Sequence, residues 1–213
     1  MFGSRETMFA LFYLALLFLS QSHAILSENN EENSGIDFPD AKKVMSSLNR
    51  TYMFQSLINS PKLQCVYQIF YDIKVRGYGL KHKYDKVSLS KDGGFLNNPL
   101  YVTDVVNSTI YLSSNPAFSK NPTELEILYS DLTSCMVTKG PNIRDFPRAC
   151  RLWLTSSSFA SPSPLCTKGF TRHCKFPPYV YNITGCTHLN KEIVEGCWTF
   201  VNYCAPISHG GAL

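Results

Sequence analysis

Eight consecutive stretches of the chain carry the composition of β-strands: TYMFQSLI, LQCVYQIFYDIKV, LKHKYDKVSLS, GFLNNPLYVTDVV, STIYLSS, ELEILYS, TSCMVTK and CRLWLTS. Each is rich in aromatic and β-branched residues, and Gly, Asn, Pro or Asp separates most of them. No long helical pattern intervenes and the connections are short, so the expected fold is all-β, an antiparallel up-and-down sheet. Eight strands can close on themselves into a barrel, which removes both sheet edges and leaves an interior wide enough for side chains or one small ligand. A two-sheet sandwich would read similarly, and the pattern alone leaves it open.

The flanks differ in character. Residues 1–24 carry a weakly basic start, the apolar run MFALFYLALLFL, and small residues Ser22 and Ala24 at cleavage spacing, which is the pattern of a secretory signal peptide. That run is short of the roughly 20 residues that span a bilayer, so secretion is expected rather than a membrane anchor. Residues 25–39 are acidic and Asn-rich, a flexible leader. Asp40 then stands where it can cap a short helix with Val44 and Leu48 on one face, opening a domain expected over 40–190. Beyond Leu154 the sequence turns to Ser, Pro and Cys with little periodicity, a wrapping segment with one short strand at YVYNI. Residues 191–213 form a cysteine-containing extension and a loose tail.

All 8 cysteines follow the apolar run: Cys65, Cys135, Cys150, Cys166, Cys174, Cys186, Cys197 and Cys204. An even number in a secreted chain implies disulfides rather than thiols. No C-x-x-C pair exists, and His173 lacks a second His at ligand spacing, so no metal or other cofactor is expected. Asn49, Asn107 and Asn182 head N-x-Thr glycosylation signals. The net charge of +4 is too mild for a dedicated nucleic-acid binder, and no membrane partner is expected. Lys81, His82, Lys83, Lys86 and Lys91 form the one dense basic cluster, read as a solvated hairpin. There is no nucleophile elbow, zinc-protease motif, phosphate-cradling glycine loop or carboxylate pair with acid–base spacing, so catalysis is not expected.

The run ILYSDLTSCMV, followed by ACRLWL, PLCTKGF, HC and YVYNITGC, resembles in order and spacing the salivary lipocalins of ticks, the histamine-binding group. The resemblance covers about Asp40 to Cys186 and implies a lipocalin barrel with a short N-terminal helix and a disulfide-stapled C-terminal segment. Ser130-Asp131-Leu132 resembles the turn that lipocalins place between their sixth and seventh strands. The resemblance also implies Cys65–Cys186 and Cys135–Cys166, leaving Cys150 with Cys174 and Cys197 with Cys204. Two departures stand out. The lipocalin Gly-x-Trp is missing, and where amine-binding members resemble Cys-Asp-aliphatic followed by Glu-Leu-Trp or Tyr, this chain has Cys135-Met136-Val137 and Arg151-Leu152-Trp153.

Side chains alternate along a strand, so outward cysteines at 135 and 150 send Met136, Arg151 and Trp153 inward. A protonated amine taken out of water needs a paired carboxylate, and an arginine at that place repels it. Arg151, beside Met136, Trp153 and Tyr129, instead suits the acid head of an amphipathic ligand such as a fatty acid or eicosanoid, and the resemblance implies that sequestering such a host mediator would suppress host defence. Three other readings stay open. Arg151 pairs internally with Glu126 or Asp72, or sits exposed at the rim; a biogenic amine binds elsewhere, with Asp72, Asp85, Glu124 and Glu126 as candidate acids; or the outer surface inhibits a host protein of complement, clotting or platelets. Tyr67, Tyr71, Tyr84 and Tyr129 could line either the interior or an ordinary surface.

Overall fold

A computed structural model describes residues 35–117, 121–140 and 149–186. The eight expected strands are all present: β2 (Arg50–Ser56), β3 (Leu63–Val75), β4 (Gly79–Ser90), β5 (Phe95–Val106), β6 (Thr109–Ser113), β7 (Thr123–Ser130), β8 (Cys135–Lys139) and β9 (Cys150–Leu154). Each pairs antiparallel with the next, and β9 returns to β2 with Tyr52 opposite Leu154, Met53 opposite Trp153 and Ser56 opposite Arg151. That last ladder closes the ring and excludes the sandwich. The result is a closed eight-stranded antiparallel barrel.

Two short strands are added outside the ring. Ile36–Asp37 (β1), within the leader expected over 25–39, pairs with the end of β7, Ile36 opposite Ser130. Tyr179–Val180 (β10), the strand expected at YVYNI, pairs with the end of β2.

The expected helix is α1 (Ala41–Ser47). The Asp40 side chain accepts from the Lys42 amide at 3.0 Å, and Val44, Leu48, Ala41 and Met45 are buried against the barrel interior. The Ala41 amide donates to the Asn107 carbonyl at 2.9 Å, which fixes the helix on the β5–β6 turn and caps one end of the lumen. The opposite end carries the β2–β3 and β8–β9 connections.

A second helix, α2 (Pro164–Cys174), replaces the irregular wrapping segment expected after Leu154. Ser163 caps it by accepting from the Leu165 amide, Pro164 supplies a pre-set first position, and Lys175 ends it in the left-handed region. Its buried face, Cys166, Gly169, Phe170 and Cys174, lies on the outside of β7, β8 and β9. Cys135–Cys166 and Cys150–Cys174 bolt this helix to the barrel, and Cys65–Cys186 ties β3 to the segment after β10. These are the three bonds the resemblance implied; Cys197 and Cys204, like the signal peptide and the tail, lie outside the described residues.

The turn between β7 and β8 is built around Asp131, whose carboxylate accepts from the amides of Thr133, Ser134 and Cys135 and from the Ser134 hydroxyl. Burial alone would raise this carboxyl, but the hydrogen bonds outweigh it and hold its pKa below the usual range.

Candidate ligand-binding site

Alternation along the strands sorts the side chains into a lumen and an outer layer. Met53, Val66, Phe70, Tyr84, Ile110, Leu112, Leu125, Ile127, Met136 and Trp153 form the lumen cluster with α1. Tyr67, Val87, Leu128, Val137, Leu152 and Phe170 belong to the outer cluster under α2 and the C-terminal segment.

Met136, Arg151 and Trp153 thus point inward as expected, and all three are buried. Near the capped end the polar atoms satisfy one another. Trp153 Nε1 donates to Thr138 Oγ1 at 2.8 Å. Tyr84 donates to Gln68 Oε1, while Gln68 Nε2 donates to Thr51 Oγ1 and to the Met136 sulfur. Trp153 and Met136 are therefore core residues with their polar atoms already engaged.

Arg151 is different. It retains 6% of its surface, so it is not an exposed rim residue. Its Nη1 donates to the Gly140 carbonyl at 2.7 Å and to the Ala149 carbonyl at 3.4 Å, which bridges the loop-side ends of β8 and β9. No carboxylate among the described residues forms an ion pair with it; the ion pairs there involve His82, Lys83, Arg172 and His173. The two internal partners considered from sequence are elsewhere. Asp72 binds His82 on the β3–β4 hairpin, and Glu126, between inward Leu125 and Ile127, faces out, in register with Thr109 and Lys139. Burial pulls the Arg151 pKa down from its ordinary value, an effect that Tyr84 and Tyr181 oppose.

Two of the expected ligand contacts are thus not in the lumen. Glu126 is one. Tyr129 is the other: a bulge between Ile127 and Tyr129 turns it to the outer face, where it lies beneath α2. A Cβ at Gly169 would stand 2.6 Å from the Tyr129 ring, so helix and ring approach this closely only because residue 169 is glycine. Of the other tyrosines, Tyr84 is inward and Tyr67 outward. Tyr71 hydrogen-bonds Asp85, which alternates with outward Val87 and Leu89 and also accepts from Asn97. Of the four candidate acids, Asp85, Glu124 and Glu126 alternate onto the outer face, and Asp72 lies on the β3–β4 hairpin bonded to His82.

The sequence reading missed Lys86. It was grouped with a surface basic run, yet it alternates with Tyr84 on the inward face of β4, opposite Gln68 on β3 and Asn98 on β5. Burial and the nearby Arg151 guanidinium depress its pKa to about 8. Buried Tyr84 beside it was the signal that the register could have supplied.

A recess of about 490 Å³ lies at the loop end, between Asn59–Pro61 and the segment 179–185. Tyr181 borders both this recess and the lumen cluster; its hydroxyl donates to the Ile58 carbonyl at 2.8 Å and accepts from the Ser60 amide at 3.0 Å. A second recess lies on the outer face of α2, between Pro162 and Arg172. Asp131, Cys135 and Cys166 are the one metal-like grouping among the described residues, but the two sulfurs are bonded to each other and are not available thiolates. Asn49, Asn107 and Asn182 are all exposed.

Comparison with known proteins agrees with this geometry. The model of the family described as tick histamine binding protein matches residues 29–188. Similar solved structures include the major allergen Per a 4 from cockroaches, at 12% identity over 62% of this chain and 82% of that one with a TM-score of 0.42. The siderocalin Ex-FABP is 15% identical over 62% and 91%, TM-score 0.44. Apocrustacyanin C2 is 13% identical over 70% and 91%, TM-score 0.41. No curated protein sequence matches.

Proposed function

Since the chain belongs to the tick histamine-binding protein family, we propose that it is a secreted lipocalin that captures a small acidic amphiphile, of the fatty-acid or eicosanoid class, with the acid head at Arg151. The observation that carries this reading is a guanidinium turned into the barrel, 6% exposed, whose described hydrogen bonds go to backbone carbonyls rather than to a carboxylate. Backbone carbonyls orient the group without neutralising it, and a buried charge with no carboxylate partner among the described residues costs several kcal/mol, which an arriving anion would offset. The opposite sign of ligand is disfavoured by the same charge, so histamine is not expected at this place. Removing a lipid mediator from host tissue would dampen inflammation, which suits a binding protein with three disulfides.

The test is calorimetric titration of the mature protein with palmitate and with histamine. Wild type should bind the acid, and Arg151→Gln should lose about tenfold or more of that affinity, the worth of one charge-assisted hydrogen bond. Binding of histamine without palmitate would refute the reading.

A second reading, inhibition of a host protein, is favoured by the β3–β4 hairpin. β3 pairs with β2 only as far as Ile69, and β4 pairs with β5 only from Lys83, so the rest of the hairpin projects beyond the ring. It presents Ile73, Tyr78 and Leu80 to solvent, the last at 70% exposure. If complement, clotting or platelet activity is inhibited equally by wild type and by Arg151→Gln but not after Leu80→Asp, this surface is the functional one.

A further inference from the structure

Charge balance in the lumen points beyond Arg151. Lys86 is partly buried on the inward face of β4, flanked by Tyr84 and Ser88, and its cross-strand neighbours Gln68 and Asn98 are neutral. Gln68 is already committed to Tyr84, Thr51 and Met136. β4 and β9 are separated around the ring by β3 and β2, so the two inward positions, Lys86 and Arg151, act on each other across the lumen rather than along one ladder. Among the described residues neither cation has an acid partner.

We propose that Lys86 is a second anion anchor opposite Arg151, and that the barrel prefers amphiphiles whose head group carries two adjacent negative charges over simple monocarboxylic acids. The inference rests on the reading that the lumen holds an acid at Arg151. Two like charges in a space of low dielectric repel, and a single carboxylate neutralises only one of them. A doubly negative head neutralises both, and each cation then gains a charge-assisted hydrogen bond. Burial first, and then the Arg151 charge, lower the Lys86 pKa to about 8.

The probes are hexadecylsuccinate, with two carboxylates on neighbouring carbons, and palmitate, titrated at neutral pH into the disulfide-bonded mature protein. Wild type should bind hexadecylsuccinate about tenfold or more tightly than palmitate. Lys86→Met should bring the two ligands to within about twofold of each other, whereas Lys86→Arg, which keeps the charge, should retain the preference. Equal binding of the two ligands by wild type, or a preference that survives in Lys86→Met, overturns the role of Lys86 and leaves Arg151 standing. If Lys86→Met does not fold, loss of the preference in Lys86→Arg overturns it instead. Failure of wild type to bind either acid overturns the Arg151 reading itself.

Discussion

The two ends of the lumen are made by the same eight strands and are chemically opposite. From the helix-capped end through the middle of the lumen, α1 and the inward residues of β2 to β9 bury an apolar cluster, and polar atoms along it are matched: the Trp153 indole with Thr138, the Tyr84 hydroxyl with Gln68, the Gln68 amide with Thr51. Toward the loop end Arg151 leans on backbone carbonyls, and Lys86, level with Gln68 of β3 and within electrostatic reach of Arg151, has no ion pair among the described residues. The first arrangement is what holds a barrel together. The second costs stability, and a protein that keeps such a feature is expected to recover the cost on binding.

If the capped end is the stabilising half, truncating its largest side chain should have the largest effect. Trp153→Ala removes a fully buried indole and leaves Thr138 without its donor, and it should lower the unfolding free energy by about 3–5 kcal/mol in urea titrations. A loss below about 1 kcal/mol would mean that the cluster is not the core it is taken for. At the other end, Arg151→Met should move the stability of the ligand-free protein by no more than about 1.5 kcal/mol, because relief of a buried charge offsets two lost hydrogen bonds to carbonyls. A loss as large as that of Trp153→Ala would make Arg151 a structural clamp.

The contrast also shows in the dependence of stability on pH. Lys86 has a folded-state pKa of about 8, below its ordinary 10.5, with burial and Arg151 as causes. Between those values the unfolded chain binds the proton and the folded protein does not, so stability rises with pH in that window. Below about 8 both states are protonated and the penalty of burying the charge is fully present. Denaturant midpoints of wild type relative to Lys86→Met should therefore climb from pH 8 to pH 10.5 and stay level below it. A flat difference throughout would show that Lys86 is solvated.

What could be read from the sequence follows the same division. Strand composition gave all eight strands of the ring, and period-two alternation placed Met136, Arg151 and Trp153 correctly because β8 and β9 pair residue for residue without a bulge. Tyr129 was misplaced because a single bulge on β7 inverts the faces beyond Ile127, and no residue there announces it. Glu126 was recoverable: Leu125 and Ile127 on either side mark the inward face. Lys86 was hidden by its company, since Lys81 and His82 belong to the projecting hairpin whereas Lys86 lies where the ring has closed around the strand. The helix α2 was obscured by its Ser- and Pro-rich approach, although Cys166, Phe170 and Cys174 recur at helical spacing after the start signal Ser163-Pro164.

The central claim is that the inward charge of this barrel has the sign of an acid binder. Native mass spectrometry of the disulfide-bonded protein, offered palmitate and histamine together in equal amounts, tests it most directly. The account predicts a one-to-one complex with the acid that disappears in Arg151→Gln. A histamine complex without an acid complex would contradict it.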